Sequence, residues 1–280
     1  MFYNEEFITT DFSAVFTQVG YHDLAELQTS GYRNDANVSV EMDALCCLEY
    51  FPCVQNLILK PGLINIDDLQ YLYNLPLKRL KLNYFNDSFC EYTIDLGQFP
   101  DLEFVSARDS FNFYNVDQCA FLKTLHVYQW SMRTLELLGR SNIVALKISV
   151  GKLISLKGIE SLSYLRYFSL SYQRSLTDVR DIGTCVSLEH LEMGNCGKVD
   201  ITNIPMLDNL KILELSGRQV IENCYYFNRF PKLEYLILGC KILDGDLSRL
   251  LLLKHCALLT DHRHYTHKNS DLPKSDFRRM

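Results

Sequence analysis

A repeated apolar pattern of about 22 residues constrains the fold of this chain more than any other feature. Each copy has an apolar anchor residue, a second apolar residue three positions later and a third two positions after that. Successive anchors lie 20 to 25 residues apart, and the nine anchors are Val54, Leu77, Leu102, Leu122, Ile143, Leu165, Leu188, Leu210 and Leu233. Such regular spacing predicts a solenoid, in which each unit packs mainly against its two neighbours.

The spacing inside each copy predicts how the units pack. The last two apolar residues are two positions apart, so in a strand they face the same side. One unit cannot bury this side alone, but parallel strands stacked about 4.8 Å apart bury it in one core. Between strands, residues such as Leu153, Leu156 and Ile159 have the spacing of short helical or 3-10 turns. The predicted fold is an α/β solenoid with a parallel concave β-sheet and short helical or 3-10 segments on the convex side.

This pattern resembles the leucine-rich-repeat family, in the short 22-residue form seen in bacterial internalin-like proteins. The resemblance covers about residues 51–256. The family's asparagine or cysteine three residues after the last apolar strand position is matched only by Cys196. We therefore expect no regular asparagine ladder and a somewhat irregular coil.

The repeats divide the chain into three predicted parts. Residues 1–50 form an acidic N-terminal cap, residues 51–256 the solenoid with about nine clear repeats, and residues 257–280 a C-terminal cap and polar tail. Caps are needed because the end coils would otherwise expose the core and a sheet edge. Cys256 and Leu259 are interpreted as a degraded tenth repeat, after which the polar tail closes the fold and then frays.

Within the N-terminal cap, strands are predicted at residues 7–10 and 38–40, followed by a helix over Met42–Tyr50. The cap carries nine acidic residues and one basic residue, whereas the whole chain has a net charge of −6. Such an end attracts a basic protein and repels nucleic acid and anionic membranes. The candidate binding residues there are Asp23, Glu26, Glu41 and Asp43. The alternative is a solvated cap that only keeps this end soluble.

The start of the chain and its cysteines indicate the compartment. Glu5 and Glu6 stand where a signal peptide would be basic, and no apolar stretch approaches the roughly 18–20 residues of a membrane span. We expect a cytoplasmic protein whose ten cysteines are reduced thiols. Four of them occupy small apolar repeat positions and are expected to be buried, namely Cys185, Cys196, Cys240 and Cys256.

A search for catalytic and metal-binding motifs finds little. No phosphate-binding glycine loop, nucleophile elbow or zinc-binding helix motif occurs. His190 and Glu192 lie on one face of a predicted strand, but a recognition surface explains them better than an orienting catalytic pair. In the tail, His262, His264 and His267 have the spacing of a weak metal site, and a solvated tail explains them better. The chain is predicted to be neither an enzyme nor a holder of a metal or cofactor.

The outward strand positions predict a binding surface on the concave sheet. Its first part is basic, its middle aromatic and its later part acidic, a mixture typical of protein interfaces. The candidate residues are Arg79, Lys81, Phe104, Arg108, His126, Tyr128, Tyr167, His190, Glu192, Glu214 and Tyr235. The alternative is an ordinary solvated sheet surface.

These features favour a protein-binding role. Ribonuclease inhibitor is a cysteine-rich repeat protein of this broad class that clamps a basic enzyme, and the resemblance implies a similar use here. The prediction is a cytoplasmic inhibitor or immunity protein, monomeric on its own, that neutralises a basic toxin or nuclease by direct binding. It is expected to bind neither nucleic acid nor membranes. The alternative is an adaptor or effector-type repeat protein, and an enzyme has least support.

Overall fold

The structure is a computed structural model of the 280-residue chain that describes residues 17–19, 36–60, 69–82, 93–110, 113–197 and 199–275. Its strands are β1 (Thr17–Val19), β2 (Asn37–Glu41), β3 (Asn56–Lys60), β4 (Arg79–Leu82), β5 (Ile94–Asp95), β6 (Phe104–Asp109), β7 (Phe113–Tyr114), β8 (Thr124–Trp130), β9 (Ala145–Gly151), β10 (Tyr167–Ser171), β11 (His190–Gly194), β12 (Ile212–Ser216), β13 (Val220–Ile221), β14 (Tyr235–Leu238), β15 (Lys241–Ile242) and β16 (His255–Leu258).

The helical segments are short, and all except Asn269–Asp271, which follows β16, lie between strands. The α-helix among the described residues is Gln70–Tyr73. The others are 3-10 helices, at Met42–Tyr50, Leu96–Gln98, Val116–Gln118, Glu136–Leu138, Ile159–Ser161, Arg180–Thr184, Ile201–Asn203, Cys224–Arg229, Ser248–Leu252 and Asn269–Asp271.

One large parallel sheet organises the molecule. Among the described residues it contains twelve strands in the order β1-β2-β3-β4-β6-β8-β9-β10-β11-β12-β14-β16, so each strand pairs with the strand of the neighbouring coil. From β3 onward, every strand that follows an anchor begins two residues after it, as β10 does at Tyr167 after Leu165. The remaining four strands form two small parallel sheets, β5 with β7 and β13 with β15. The predicted α/β repeat solenoid is confirmed.

The core runs the length of the solenoid behind this sheet. The inward strand residues are buried, as Leu57 and Leu59 are on β3, and so are residues of the 3-10 helices such as Leu138 and Ile159. At the position where the family has asparagine or cysteine, successive coils bury different residues, and these residues form different hydrogen bonds. The Ser110 hydroxyl accepts from the Ser131 amide at 3.0 Å. The Trp130 indole donates to the Thr134 carbonyl at 3.0 Å, so the expected irregularity is present.

The sheet begins inside the segment predicted as the N-terminal cap. Strand β2 covers the predicted strand at residues 38–40 and pairs in parallel with β3. The segment Met42–Tyr50 is a 3-10 helix. The predicted strand at residues 7–10 lies outside the described residues.

At the other end, the tail covers the last strand. Of the two residues interpreted as a degraded tenth repeat, Cys256 is buried in β16 and Leu259 is exposed. Leu258 is buried in its place because strand side chains alternate from Cys256. The Cys256 amide donates to the Pro273 carbonyl at 2.9 Å. The Leu258 amide donates to Asn269 Oδ1 at 2.9 Å. The tail thus takes hydrogen bonds that an open edge would leave unmade.

Candidate protein-binding surface

The register of the large sheet aligns the outward residues in columns. The first column follows the pairing of strand-start residues and contains Asn37, Asn56, Arg79, Phe104, Thr124, Ala145, Tyr167, His190, Ile212, Tyr235 and His255. The second column, two residues further along each strand, contains Ser39, Ile58, Lys81, Ser106, His126, Lys147, Ser169, Glu192, Glu214, Ile237 and Ala257. The predicted candidate residues on β4 to β14 thus share one face.

Aromatic and cationic groups stack across strands in the first half of this face. The Arg79 guanidinium lies 4.9 Å from the centre of the Phe104 ring. The Phe104 ring meets the His126 ring edge-on, with centroids 5.3 Å apart. These contacts cover Phe104, which is buried, while Arg79 and Lys81 are half-buried. The predicted aromatic anchor Phe104 therefore offers little surface to a partner.

His126 is held in its neutral form. Burial, and then the positive charges of Lys147 and Arg79, lower the pKa of His126 to about 4. Its Nε2 has no hydrogen-bond partner among the residues the structure describes. At neutral pH this position therefore contributes an uncharged imidazole to the basic half of the face.

Hydrogen bonds between the two columns fix the acidic half. The Tyr167 hydroxyl donates to Glu192 Oε2 at 2.9 Å, and His190 Nε2 lies 3.2 Å from Glu214 Oε1. The Tyr167 and His190 rings meet edge-on with centroids 4.9 Å apart. Tyr167 is only 1% exposed and His190 is also buried. Each carboxylate is thus held by a first-column side chain of the strand before it.

This geometry adds a contact to the one suggested by the strand pattern. His190 and Glu192 share a strand face, and His190 Nε2 also lies 3.2 Å from Glu214 Oε1 on the next strand. Glu192 and Glu214 are register partners on β11 and β12, and both are half-buried. Two carboxylates therefore stand side by side on the concave face.

The other predicted residues lie at the ends and along one edge of the face. Tyr235 is buried and stacks on His255 with ring centroids 6.4 Å apart. Tyr128 is 59% exposed and Arg108 is half-buried. Of the predicted aromatic residues on this face, Tyr128 presents the most surface.

The acidic cap residues are only partly placed. Asp23 and Glu26 lie outside the described residues. Glu41 ends β2, and Asp43 belongs to the 3-10 helix Met42–Tyr50. Their proposed role in binding stays a prediction.

The thiols and tail histidines have structural contacts. Cys185, Cys196, Cys240 and Cys256 are buried, and burial raises the pKa of Cys185 to about 12. His264 Nε2 lies 2.9 Å from the Ile242 carbonyl oxygen. Among the described residues, no group of three or more His, Cys, Asp or Glu side chains could hold a metal ion.

The predicted site was limited to outward strand positions and missed the residues that directly precede each anchor, three positions before the strand begins. Exposed apolar side chains occur there, including Phe121 and Tyr164. The signal that could have found them is an apolar residue immediately before an anchor, where other repeats carry polar ones such as Asn142 and Asn209.

Comparison with solved structures agrees with this architecture. An internalin (inlF) from Listeria monocytogenes superposes over 77% of this chain and 78% of its own, with a TM-score of 0.50 and 16% identity. The chain has a leucine-rich-repeat fold. TLR13, in a complex with ssRNA13, covers 83% of this chain with a TM-score of 0.50 and 20% identity, and the chain spans 40% of that structure's length.

Sequence comparisons add no relative. No protein-family model matches the chain, and no curated protein matches it. The described helices include none long and apolar enough to cross a membrane.

Proposed function

We propose that this leucine-rich-repeat chain binds a basic protein on its concave face, as a cytoplasmic inhibitor or immunity protein that neutralises a toxin or nuclease. The observation that carries the proposal is the pair of neighbouring carboxylates, Glu192 and Glu214, each held by a buried ring of the first column. The role is one of binding without catalysis.

The carboxylate pair supports a cationic ligand on electrostatic grounds. Like charges directly opposite each other on neighbouring strands destabilise a sheet. A guanidinium or ammonium group placed between Glu192 and Glu214 would remove this repulsion. Their hydrogen bonds to Tyr167 and His190 orient them before a partner arrives, so less side-chain entropy is lost on binding. Arginine suits such a site because its planar donors bind carboxylates in pairs.

The charges also favour protein over nucleic acid as the partner. TLR13 is described in a complex with single-stranded RNA. In the present chain, Glu192 and Glu214 would repel phosphates in the half of the face that follows Tyr167. RNA binding confined to the basic half, around Arg79, Lys81 and Lys147, is the outcome that would oppose the proposal.

The second candidate function is that of an adaptor or effector-type module that recognises several proteins. The feature that favours it is the mixed character of the face, with Arg79 and Lys81 in one half, Glu192 and Glu214 in the other and Tyr128 exposed. Such a face can contact partners of either charge. An inhibitor, in contrast, is expected to hold one basic partner tightly.

The test is affinity capture from the source organism at physiological and at high salt, with mass spectrometry of the retained proteins. The parent chain is compared with the double variant Glu192→Gln, Glu214→Gln. A matched control changes two exposed acids away from the concave face, Asp208→Asn and Glu222→Gln. We expect one basic protein on the parent and the control at both salts, and its loss from the double variant.

Two outcomes would contradict this function. Retention of the same protein by the double variant would remove the carboxylate pair from the interface. A set of unrelated proteins that is lost at high salt would favour the adaptor. Truncation of the exposed aromatic, Tyr128→Ala, is expected to weaken the complex by about 1–4 kcal/mol if the ring is an anchor.

A further inference from the structure

A continuous ladder of residues runs along the edge where the strands begin. Each residue directly precedes a strand, and its amide donates to the carbonyl of the equivalent residue one coil earlier at 2.8 or 2.9 Å. We call this the strand-start ladder: Lys78, Glu103, Lys123, Val144, Arg166, Glu189, Lys211, Glu234 and Lys254. Basic and acidic residues alternate along it except at one position, Val144.

After Val144, some neighbouring side chains of opposite charge pair, whereas Lys78, Glu103 and Lys123 form no ion pair among the described residues. Arg166 contacts Glu189 at 2.9 Å, and the same glutamate contacts Lys211 at 3.3 Å. Lys254 contacts Glu234 at 2.8 Å. At Val144 the acid is missing, so two bases, Lys123 and Arg166, flank an uncharged ladder position. Lys123 is exposed and forms no ion pair with the residues the structure describes.

The charge alternation is interrupted at Val144, and we call this position the gap. Exposed apolar side chains lie near it. Phe121, Tyr164 and Val186 are 57%, 61% and 72% exposed. Contacts between coils keep this part of the edge together: Asn142 Nδ2 donates to the Ala120 carbonyl at 2.8 Å, and Ser187 Oγ donates to the Ser163 carbonyl at 3.3 Å. An exposed base, Arg140, lies on the same coil as Val144. We call this surface the edge patch: Phe121, Lys123, Arg140, Val144, Tyr164 and Val186.

We propose that the edge patch binds an acidic segment of a partner protein in which a carboxylate side chain neighbours an aromatic or branched aliphatic one. The flanking positions of the gap are two strand spacings apart, about 10 Å, which leaves room for one carboxylate between the basic side chains. The partner's apolar side chain would lie on Phe121 and Tyr164, whose rings supply contact area at low entropic cost. The proposal is independent of the concave carboxylates.

The ladder itself supplies a sharp test. The substitution Val144→Glu would place an internal carboxylate in the gap and complete the alternation of charge. It is expected to compete with an incoming acid for Lys123 and Arg166 and to leave the melting temperature unchanged or higher. Lys123→Glu reverses the unpaired base, and because this side chain is exposed the fold is retained. The matched control is Lys241→Glu, an exposed base away from the edge patch.

The probe is a fluorescent peptide with three glutamates around one phenylalanine and one leucine, and binding is followed by anisotropy at low salt. Two comparison peptides replace the glutamates by lysine or the two apolar residues by serine. We expect saturable binding of the first peptide to the parent and to the Lys241 control. Val144→Glu and Lys123→Glu are expected to weaken it by roughly tenfold or more.

Several results would overturn the proposal. One is an absence of saturable binding to the parent below about 1 mM. Another is equal binding of the parent and both edge variants. Equal binding of the lysine peptide would exclude recognition of a carboxylate, and equal binding of the serine peptide would exclude a role for Phe121 and Tyr164. None of these results bears on Glu192 and Glu214, so a failure here is distinguishable from a failure of the concave site.

Discussion

At the scale of single residues, Gly158 holds a backbone conformation that a side chain would strain. Its φ is +101°, and an added Cβ would lie 2.5 Å from the backbone of Leu135 and Glu136 in the preceding coil. Gly158→Ala is therefore expected to lower the free energy of unfolding by about 2 kcal/mol or more. Urea denaturation followed by circular dichroism measures this change.

A second glycine serves as the control for that substitution. An added Cβ at Gly197 meets no atom within 4 Å, and its φ lies outside the left-handed range. Gly197→Ala should change the free energy of unfolding by less than about 1 kcal/mol. Equal losses for the two variants would show that the coil adjusts freely at Gly158 and that its close contact is unimportant.

His126 is expected to make stability depend on pH. Its pKa is lowered from 6.5 to about 4 in the folded state, so between these values the unfolded chain binds the additional proton. The stability that neutral His126 contributes to the folded state is therefore fully present above pH 6.5 and is lost as the pH falls towards 4. From pH 7.5 to 5, the loss is expected to reach up to about 2 kcal/mol.

Replacement of the imidazole tests this assignment. His126→Asn should reduce the fall in unfolding free energy between pH 7.5 and 5, measured by urea denaturation at each pH. Gln129→Asn, a change of a non-titrating residue on the same strand, is the control and should leave the fall as in the parent. An unchanged pH dependence in the His126 variant would mean that other groups cause it.

The residues of the concave face were predictable in position but not in exposure. The register aligns Tyr167 through Ala145 with Thr124, and side-chain alternation along β8 places Tyr128 on the same face as Thr124. Their exposure differs because Tyr167 packs on His190 and reaches Glu192, whereas Tyr128, near the end of β8, is 59% exposed. Such cross-strand contacts depend on rotamers and on the neighbouring coil, which a strand pattern does not contain.

At the scale of elements, the C-terminal tail stabilises the last strand of the sheet. Asn269 Oδ1 accepts hydrogen bonds from the Leu258 amide at 2.9 Å and from the Lys274 ammonium group at 2.8 Å. Asn269→Ala should cost about 1 kcal/mol and increase amide exchange in β16. Hydrogen exchange read by mass spectrometry checks it, with Asn228→Ala, an exposed residue elsewhere, as the control. Unchanged amide exchange in β16 would mean that the contacts of Pro273 and Lys274 with Cys256, and not those of Asn269, hold the tail on this strand.

The strands of the large sheet were predictable from the repeats, and the short strands of the two small sheets were not. The anchor spacing predicts the large-sheet strands from β3 to β14 because each buries the same two positions. The strands β5 and β7 have two residues each and pair outside the large sheet, so they leave no periodic signal. The 3-10 form of Met42–Tyr50 was also beyond the pattern, which indicates a helix without its type.

At the scale of the whole molecule, contacts between neighbouring coils dominate the solenoid, and this is why repeat spacing alone predicts the architecture. The same property predicts that one complete repeat can be removed. Deletion of residues 188–209 would join Ser187 to Leu210 and bring β10 beside β12. Tyr167 would then meet Ile212, and Ser169 would meet Glu214, so both columns would continue in register.

The shortened chain should fold with a similar circular dichroism spectrum per residue and a lower melting temperature. It loses the ion pair of Arg166 with Glu189 and places Arg166 beside Lys211, which is a like charge. These exposed pairs are worth at most about 1 kcal/mol each, too little to prevent folding. Size-exclusion chromatography with small-angle scattering should show a monomer shorter by one coil.

A smaller deletion gives the contrast. Removal of residues 199–209 leaves six residues between Gly194 and Ile212. Parallel strands need a crossover of about a dozen residues or more, so β11 and β12 could no longer pair side by side. We expect this variant to aggregate or unfold although it loses half as many residues. If both deletions fold equally well, the coils tolerate incomplete repeats, and the strand register rather than the closed coil maintains the solenoid.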